Sequence, residues 1–506
     1  MESASLAEPG EVTVERPKLK ANAIGFVSNI VIGVASVAPG YSLAATLGFI
    51  AAVSGLGFQA PAAIWVAFLP MAAIALAYYF LNKADPDCGT TFSWMTKAMG
   101  PLWGWQGGWA ILVADVLVMP NLAQIAAQYT LNLFGDGSPS NTAVTIIGIG
   151  WIVLMTIICY IGIELNARTQ RVLLAFEFFV LVIFAVVTLI KVYTGHPTGS
   201  VHPNISWFSP FAIKGGLSAL NGGLLLAIFI YWGWDSGVSV NEETEDSTEA
   251  PGKAALISNV VLVLIYLLVT TAAAAYGGLG NLVHNQADVF SPLGHSVFGG
   301  GLDKILTLAI LCSASASTQT TILPTARTTL SMGRAGAIPE KFGEVNPRFL
   351  SPGFSTIWMG TVSTILFVVL MATSVNLIAD AFTALAVTIA FYYGFSGYAC
   401  VIYYRKQIFE TARKFVMLCL IPLLGALFLT WIIVKAVIVY SAADGGYAKP
   451  ILGIGSPIAI ALLTVVLGLI GMAIQRITMP AFFRRKREIA PADILAGDPI
   501  AVGRHG

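Results

Sequence analysis

Three carboxylates lie well inside long apolar stretches of the sequence, namely Asp115, Glu177 and Asp235. A charged side chain at the centre of a bilayer costs about 2.5–3.5 kcal/mol on insertion scales, so such a residue is by default a functional candidate. A buried acid of this kind can bind a proton, receive an ammonium group or help to hold Na⁺. The alternative for each is a purely structural role, as a helix cap or as a partner of a donor on a neighbouring helix.

A second group of candidates lies in residues 313–321, a run that is dense in hydroxyl groups. Ser313 and Ser317 are spaced i,i+4 and therefore share one face of a helix. Their hydroxyl oxygens are suitable ligands for a coupling cation. Small hydroxyl residues are also ordinary packing material between membrane helices, so that alternative stays open.

Two apolar stretches contain residues that interrupt helices. The interruptions comprise Ser36, Val37, Ala38, Pro39 and Gly40 in one stretch, and Gly233, Asp235 and Ser236 in the other. Proline removes a backbone donor and glycine makes unwinding cheap. At membrane depth, unwound backbone survives only where protein or a watery cavity satisfies it. The free N–H groups of such a break favour a carboxylate, whereas its carbonyls favour an ammonium group or a cation. We expect both breaks to bind substrate, the alternative being ordinary packing kinks.

The composition predicts the helices that must position these residues. Of 506 residues, 57% are apolar and 10% are charged, with a mean hydropathy of +0.80. Soluble proteins average about 45–50% apolar and about 25% charged residues, and roughly 20 apolar residues span a bilayer. We predict an all-α integral membrane protein with twelve spans at residues 24–50, 60–81, 103–134, 144–161, 168–192, 216–240, 254–278, 303–330, 354–372, 381–404, 415–440 and 456–476. The net charge of +1 argues against a nucleic-acid partner.

The Lys and Arg residues indicate an orientation in the lipid bilayer. Of 27, 22 fall in the termini, in alternate loops or in the span ends beside them, and the other five, Lys191, Lys214, Lys304, Lys435 and Lys449, fall towards the opposite side. By the positive-inside rule, the richer side is cytoplasmic. We therefore expect a multi-pass protein of the cytoplasmic membrane with cytoplasmic tails at residues 1–23 and 477–506.

The cysteines and histidines do not indicate a metal site or a cofactor. None of the five cysteines has CxxC spacing, and all five histidines fall in predicted loops or tails. No convergent nucleophile and base or metal cluster is visible, so we predict that the chain is not an enzyme.

Four stretches together resemble the amino acid–polyamine–organocation permeases. They are PDCGTTFSWMTKAMGPLWGWQGGW (86–109), GIELNARTQRVLLAFEFFVL (162–181), FIYWGWDSGVSVNEETEDSTEAP (229–251) and ARTTLSMGRAGAIPEKF (326–342). The resemblance implies a leucine-transporter-type fold, in which residues 24–192 and 216–404 are inverted five-span repeats with broken first and sixth helices. Residues 24–404 would then form a ten-span transport core, and spans 11 and 12, within 415–476, would be peripheral.

The resemblance also suggests roles for individual residues. Phe229 matches the position of a gating aromatic, and Asp115 lies on a stretch that lines the pocket for the substrate side chain. Glu177 stands where many relatives have a lysine near the cation site. Span 1 differs from the usual Gly-x-Gly-Ile-Phe pattern, and the loop after Glu243 is unusually acidic.

We therefore expect a secondary active transporter for an amino acid or related amine. Two acids, Asp115 and Asp235, near one site would suit a cationic substrate. Proton-coupled import by alternating access is the leading hypothesis, with Glu177, Asp235, Ser313 and Ser317 as the coupling-ion or proton site. A Na⁺-coupled carrier and an exchanger are the alternatives within transport, and a substrate sensor or a channel is the alternative outside it.

Overall fold

The computed structural model describes residues 17–135, 137–286 and 288–490. The remaining parts of the predicted tails, residues 1–16 and 491–506, lie outside the described residues. Within the described part the chain is helical and contains no strand, which confirms the predicted all-α class.

The twelve predicted spans are confirmed, each overlapping one apolar helical segment. Numbered in chain order as spans 1 to 12, these segments are Phe26–Ala52, Gly57–Ala84, Pro101–Leu133, Asn141–Ile161, Ile163–Thr194, Gly216–Ser239, Ala250–His284, Asp303–Arg334, Gly353–Thr373, Val375–Tyr403, Ala412–Tyr440 and Ser456–Thr478. The short helices Thr91–Met99 and Phe290–Phe298 lie in the loops after spans 2 and 7.

Span 1 is interrupted at a single residue. Its two half-helices, Phe26–Val37 and Pro39–Ala52, meet at Ala38, which has φ 50° and ψ 69°. A residue before proline is driven out of the helical region, and proline itself is well suited to the first position of a helix. Pro39 therefore both ends the first half-helix and starts the second.

Span 6 is interrupted over a longer stretch. Its first half-helix is Gly216–Ala227 and its second is the short Ser236–Ser239. Between them Trp232 is extended and Gly233 has φ 116°, a conformation that favours glycine. A Cβ on Gly233 would lie 3.0 Å from the carbonyl carbon of Ser36, so the two breaks are packed against each other.

Span 8 is central in the bundle, because it packs against spans 1, 3 and 5 and most of its residues are buried. Span 12 lies at the rim, and few of its residues are buried. The breaks of spans 1 and 6 therefore face a helix that is surrounded by protein, where unwound backbone can find partners.

A fourth buried carboxylate, Asp380, lies within span 10, so the count of three acids in the spans is wrong. Its Oδ1 accepts the Tyr447 N–H at 2.8 Å, and its Oδ2 accepts the Ala448 N–H at 2.8 Å and the Ser456 hydroxyl at 2.5 Å. The sequence prediction begins span 10 at Ala381, six residues later than the observed start at Val375, because the apolar run is strongest after Asp380. Asp380 is not at the site; it fixes the connection between spans 11 and 12 to span 10.

Replacing Asp380 should therefore reduce stability without touching the site. Asp380→Ala leaves two backbone donors and the Ser456 hydroxyl without their acceptor, which costs about 1–3 kcal/mol or more for groups bonded to a charge. We expect a lower midpoint of thermal unfolding in detergent. Asp444→Ala, at an exposed aspartate of the same connection, is the control; equal midpoints for the two variants would contradict the assignment.

Candidate functional site

A small cavity lies where the two breaks meet. It is lined by Ser36, Asp115, Trp232, Gly233, Asp235, Ser236, Thr321 and Pro324, and it encloses about 10 Å³. That volume is about the minimum that holds one water molecule. The fold thus brings five of the predicted substrate-binding residues to one point: Ser36, Asp115, Gly233, Asp235 and Ser236.

Asp235 is held by two neighbouring tyrosines of span 10. The Tyr393 hydroxyl donates to Oδ1 at 2.7 Å, and the Tyr392 hydroxyl donates to Oδ2 at 3.3 Å. The same hydroxyls accept from the span 6 break, Tyr393 from the Gly233 N–H at 3.3 Å and Tyr392 from the Trp232 indole N–H at 2.5 Å. A carboxylate has about four acceptor positions, so Asp235 keeps capacity for a further donor such as an ammonium group.

Asp115 faces the same cavity from span 3. Its Oδ2 accepts the Thr325 hydroxyl of span 8 at 2.6 Å, and its side chain is only 4% exposed. Among the described residues, the lining of this cavity contains no Lys, Arg or His. The electrostatic environment therefore favours a cation.

Glu177 closes a separate polar cluster beside the span 1 break. Its Oε1 accepts the Gly40 N–H at 2.7 Å and the Ser313 hydroxyl at 2.8 Å, and the Tyr41 N–H donates to Ser313 Oγ at 3.1 Å. Glu177 and Ser313 are fully buried. The second carboxylate oxygen of Glu177, Oε2, has no hydrogen-bond partner among the described residues.

The carbonyl side of the span 1 break is also satisfied by hydroxyl groups. Ser317 Oγ donates to the Ser36 carbonyl at 2.8 Å, and Ser42 Oγ donates to the Val37 carbonyl at 2.7 Å. Ser36 and Ser236 share a hydrogen bond of 2.8 Å between their hydroxyls, which joins the two breaks directly. Of the predicted residues, Val37, Ala38, Pro39 and Gly40 belong to the span 1 turn but do not line the cavity.

Phe229 also lies outside the cavity lining, one turn towards the first half-helix of span 6. Its ring centroid is 4.0 Å from that of Phe382 in span 10 and 6.1 Å from that of Trp232. Trp232 does line the cavity, so Phe229 and Phe382 lie behind that part of its lining.

A buried ion pair lies on the opposite side, beyond the second half-helix of span 6. Arg327 of span 8 donates from Nε and Nη2 to the two Glu243 oxygens at 2.8 and 3.0 Å, and both side chains are 1% exposed. The Glu243 carbonyl accepts the Ala23 and Ile24 N–H groups, at 2.8 and 3.1 Å. Burial raises the pKa of Glu243, and the Arg327 guanidinium opposes that rise.

Sequence reasoning missed several of these partners. Tyr392, Tyr393 and Thr325 gave no signal, because an isolated tyrosine or threonine in an apolar helix is commonplace. Arg327 and Glu243 were visible only as parts of two separate motifs. Their side chains are 84 residues apart in the chain, and nothing in either motif indicates the pairing.

Comparison with known proteins gives one family match and several relatives. The sequence profile described as "Amino acid permease" matches residues 22–467. The branched-chain amino acid permease BcaP of Lactococcus lactis is 25% identical over 55% of this chain, and the vacuolar cationic amino acid transporter 4 of Arabidopsis thaliana is 24% identical over 60%. These alignments span 61% and 51% of the relatives' own lengths.

A third relative is matched over more of its length. The low-affinity putrescine importer PlaP of Escherichia coli is 22% identical over 74% of this chain and 80% of its own length.

A double-mutant cycle can test whether Arg327 and Glu243 are energetically coupled. Arg327→Met leaves the Glu243 charge buried and unpaired, which costs about 3–5 kcal/mol, whereas Arg327→Met with Glu243→Leu removes both charges and should recover most of that loss. The measurement is the apparent free energy of unfolding in detergent. The partly exposed pair Arg334–Glu242 is the control, and Arg334→Met should cost about 1 kcal/mol or less. An additive cycle for Arg327 and Glu243 would contradict their coupling.

Proposed function

We propose, on the premise that the chain belongs to the amino acid permease family, that it is a secondary active transporter for an amino acid or a related amine. The proposal includes proton-coupled import across the cytoplasmic membrane, with both termini in the cytoplasm, as the distribution of Lys and Arg favours.

The observation that carries this proposal is the meeting of the two broken helices around an acid-lined cavity. Discontinuous helices near the bilayer midplane are typical of the binding sites of secondary transporters. Here Asp115 and Asp235 contribute the carboxylates, and Ser36 and Ser236 hold the two breaks together. An ammonium group would be received by Asp235, whose geometry is already fixed by Tyr392 and Tyr393.

The proposal of alternating access rests on two groups of residues, one on each side of this cavity, that keep it closed. The rings of Phe229, Phe382 and Trp232 cover one side, and the Arg327–Glu243 pair joins span 8 to the segment after span 6 on the other. A cavity of about 10 Å³ is far too small for an amino acid, so one closure must open to admit it. In this proposal the ten-span core of residues 24–404, with its two repeats, rearranges around the site, and spans 11 and 12 are peripheral.

Glu177 is the proposed site of the coupling proton. Its oxygen Oε1 connects span 5 to the second half of span 1 and to Ser313 of span 8, while Oε2 is unpartnered among the described residues and can take a proton. Protonation would remove the charge and weaken these hydrogen bonds, which are strongest to an ionised acceptor. A proton thereby favours the arrangement in which the second half-helix of span 1 is held less tightly to spans 5 and 8, and a ligand shifts an equilibrium only through such a difference in affinity.

Asp235→Asn tests the substrate site. Asparagine keeps a carbonyl oxygen for the Tyr393 hydroxyl but loses the charge that would bind an ammonium group. A hydrogen bond to a charged group contributes about 1.5–3 kcal/mol, so we expect uptake into proteoliposomes to fall by roughly tenfold to a hundredfold.

The same measurement on Asp444→Asn, at an exposed aspartate, should give wild-type uptake. Wild-type uptake by a folded Asp235→Asn protein would exclude Asp235 from the site.

Imposed gradients test the coupling ion. Proteoliposomes with an acidic exterior should accumulate substrate, and an inward sodium gradient at equal pH on both sides should not. Glu177→Gln should remove the response to the pH gradient, because an amide does not take up a proton in this range. Accumulation driven by sodium alone would favour the Na⁺-coupled carrier instead.

A further inference from the structure

The second half-helix of span 1 begins with backbone donors that are already in use. Pro39, at its first position, has no N–H group. The Gly40 N–H donates to Glu177 Oε1 at 2.7 Å, the Tyr41 N–H to Ser313 Oγ at 3.1 Å, and the Ser42 N–H to the Ala38 carbonyl at 2.8 Å. The start of a helix is where a carboxylate is most readily bound, because free N–H groups and the helix dipole both favour negative charge. In this protein the carboxylate at that position is Glu177.

This arrangement leaves little room for a second carboxylate. Ser313 donates to the same Glu177 oxygen at 2.8 Å, so Gly40, Tyr41, Ser313 and Glu177 form one closed cluster. The side chains of Glu177 and Ser313 are both fully buried. Even a Cβ on Gly40 would lie 3.2 Å from Glu177 Oε1, which is tighter than an ordinary contact. A substrate carboxylate could reach these donors only by displacing Glu177.

The cavity itself is equally unfavourable for a carboxylate. Two acids, Asp115 and Asp235, line it, and among the described residues its lining holds no cationic side chain. A bound carboxylate would meet like charges in a site where desolvation strengthens the repulsion. An amine, by contrast, would meet one or two opposite charges.

We infer that the substrate is an organic amine that carries no carboxylate, and that Glu177 is a specificity-determining residue that takes the place of the carboxylate of an amino acid. This inference rests on the proposed transport function and narrows its substrate class from amino acids and amines to amines alone.

Pairs of compounds that differ only by a carboxylate test the inference on the purified full-length protein. The pairs are putrescine and ornithine, cadaverine and lysine, and agmatine and arginine. For the best-bound pair we expect the amine to bind at least tenfold more tightly, measured by thermal shift and by calorimetry. Equal or tighter binding of the amino acid, or no binding by any of the six compounds, would overturn the inference.

Uptake measurements separate this inference from the proposed function. If the amine binds selectively but proteoliposomes neither accumulate it nor exchange it, then the transport proposal fails and the inference about the binding site stands. If a labelled amino acid is transported and its amine is not, then transport stands and the inference fails.

Variants of Glu177 test its role in specificity. Glu177→Ala frees the Gly40 N–H, so the ratio of amine to amino acid affinity should fall at least tenfold, whereas Glu177→Gln keeps an acceptor and should retain most of the preference. A ratio measured within one preparation does not depend on how much of the variant is folded. Glu164→Ala, at an exposed residue of the same span, is the control. An unchanged ratio in Glu177→Ala would contradict the assigned role.

Discussion

The requirement that every backbone group inside a membrane find a partner within the protein governs the centre of this structure. Breaking span 1 at Ala38 frees carbonyls at the end of one half-helix and N–H groups at the start of the next. The hydroxyl groups of Ser42 and Ser317 donate hydrogen bonds to the carbonyls, and the oxygens of Glu177 and Ser313 accept hydrogen bonds from the N–H groups. The polar residues of spans 5 and 8 are therefore a direct consequence of the break.

The same requirement explains how charges are tolerated at this depth. Asp235 lies in the span 6 break with a tyrosine hydroxyl on each oxygen, and Arg327 meets Glu243 with both partners at 1% exposure. A buried pair of this kind is weak evidence for stability, since its desolvation offsets its attraction. Its better explanation is that it specifies one arrangement of span 8 against the segment that follows span 6.

The sequence was sufficient for the spans and for the location of the breaks. Hydropathy is a property of each segment alone, and Pro39 and Gly233 act on their own backbone, so neither needs tertiary information. Glu177, through the family resemblance, and Ser313, through its spacing from Ser317, were candidates for the coupling-ion site, and the structure places both beside the span 1 break. What could not be predicted was the set of partners, because Tyr393 or Thr325 becomes significant only when another span is placed beside it.

Asp380 and Glu177 show why burial of an acid does not by itself identify a functional site. Both oxygens of Asp380 are used by groups from the connection between spans 11 and 12 and from the first residue of span 12, so changing its charge would serve only to loosen that connection. Glu177 instead joins three spans through one oxygen and leaves the other without a partner among the described residues. An acid whose hydrogen bonds join several spans, and which keeps one oxygen available, can couple the binding of a proton to a change in how those spans are held together; an acid whose two oxygens are both occupied offers no such position.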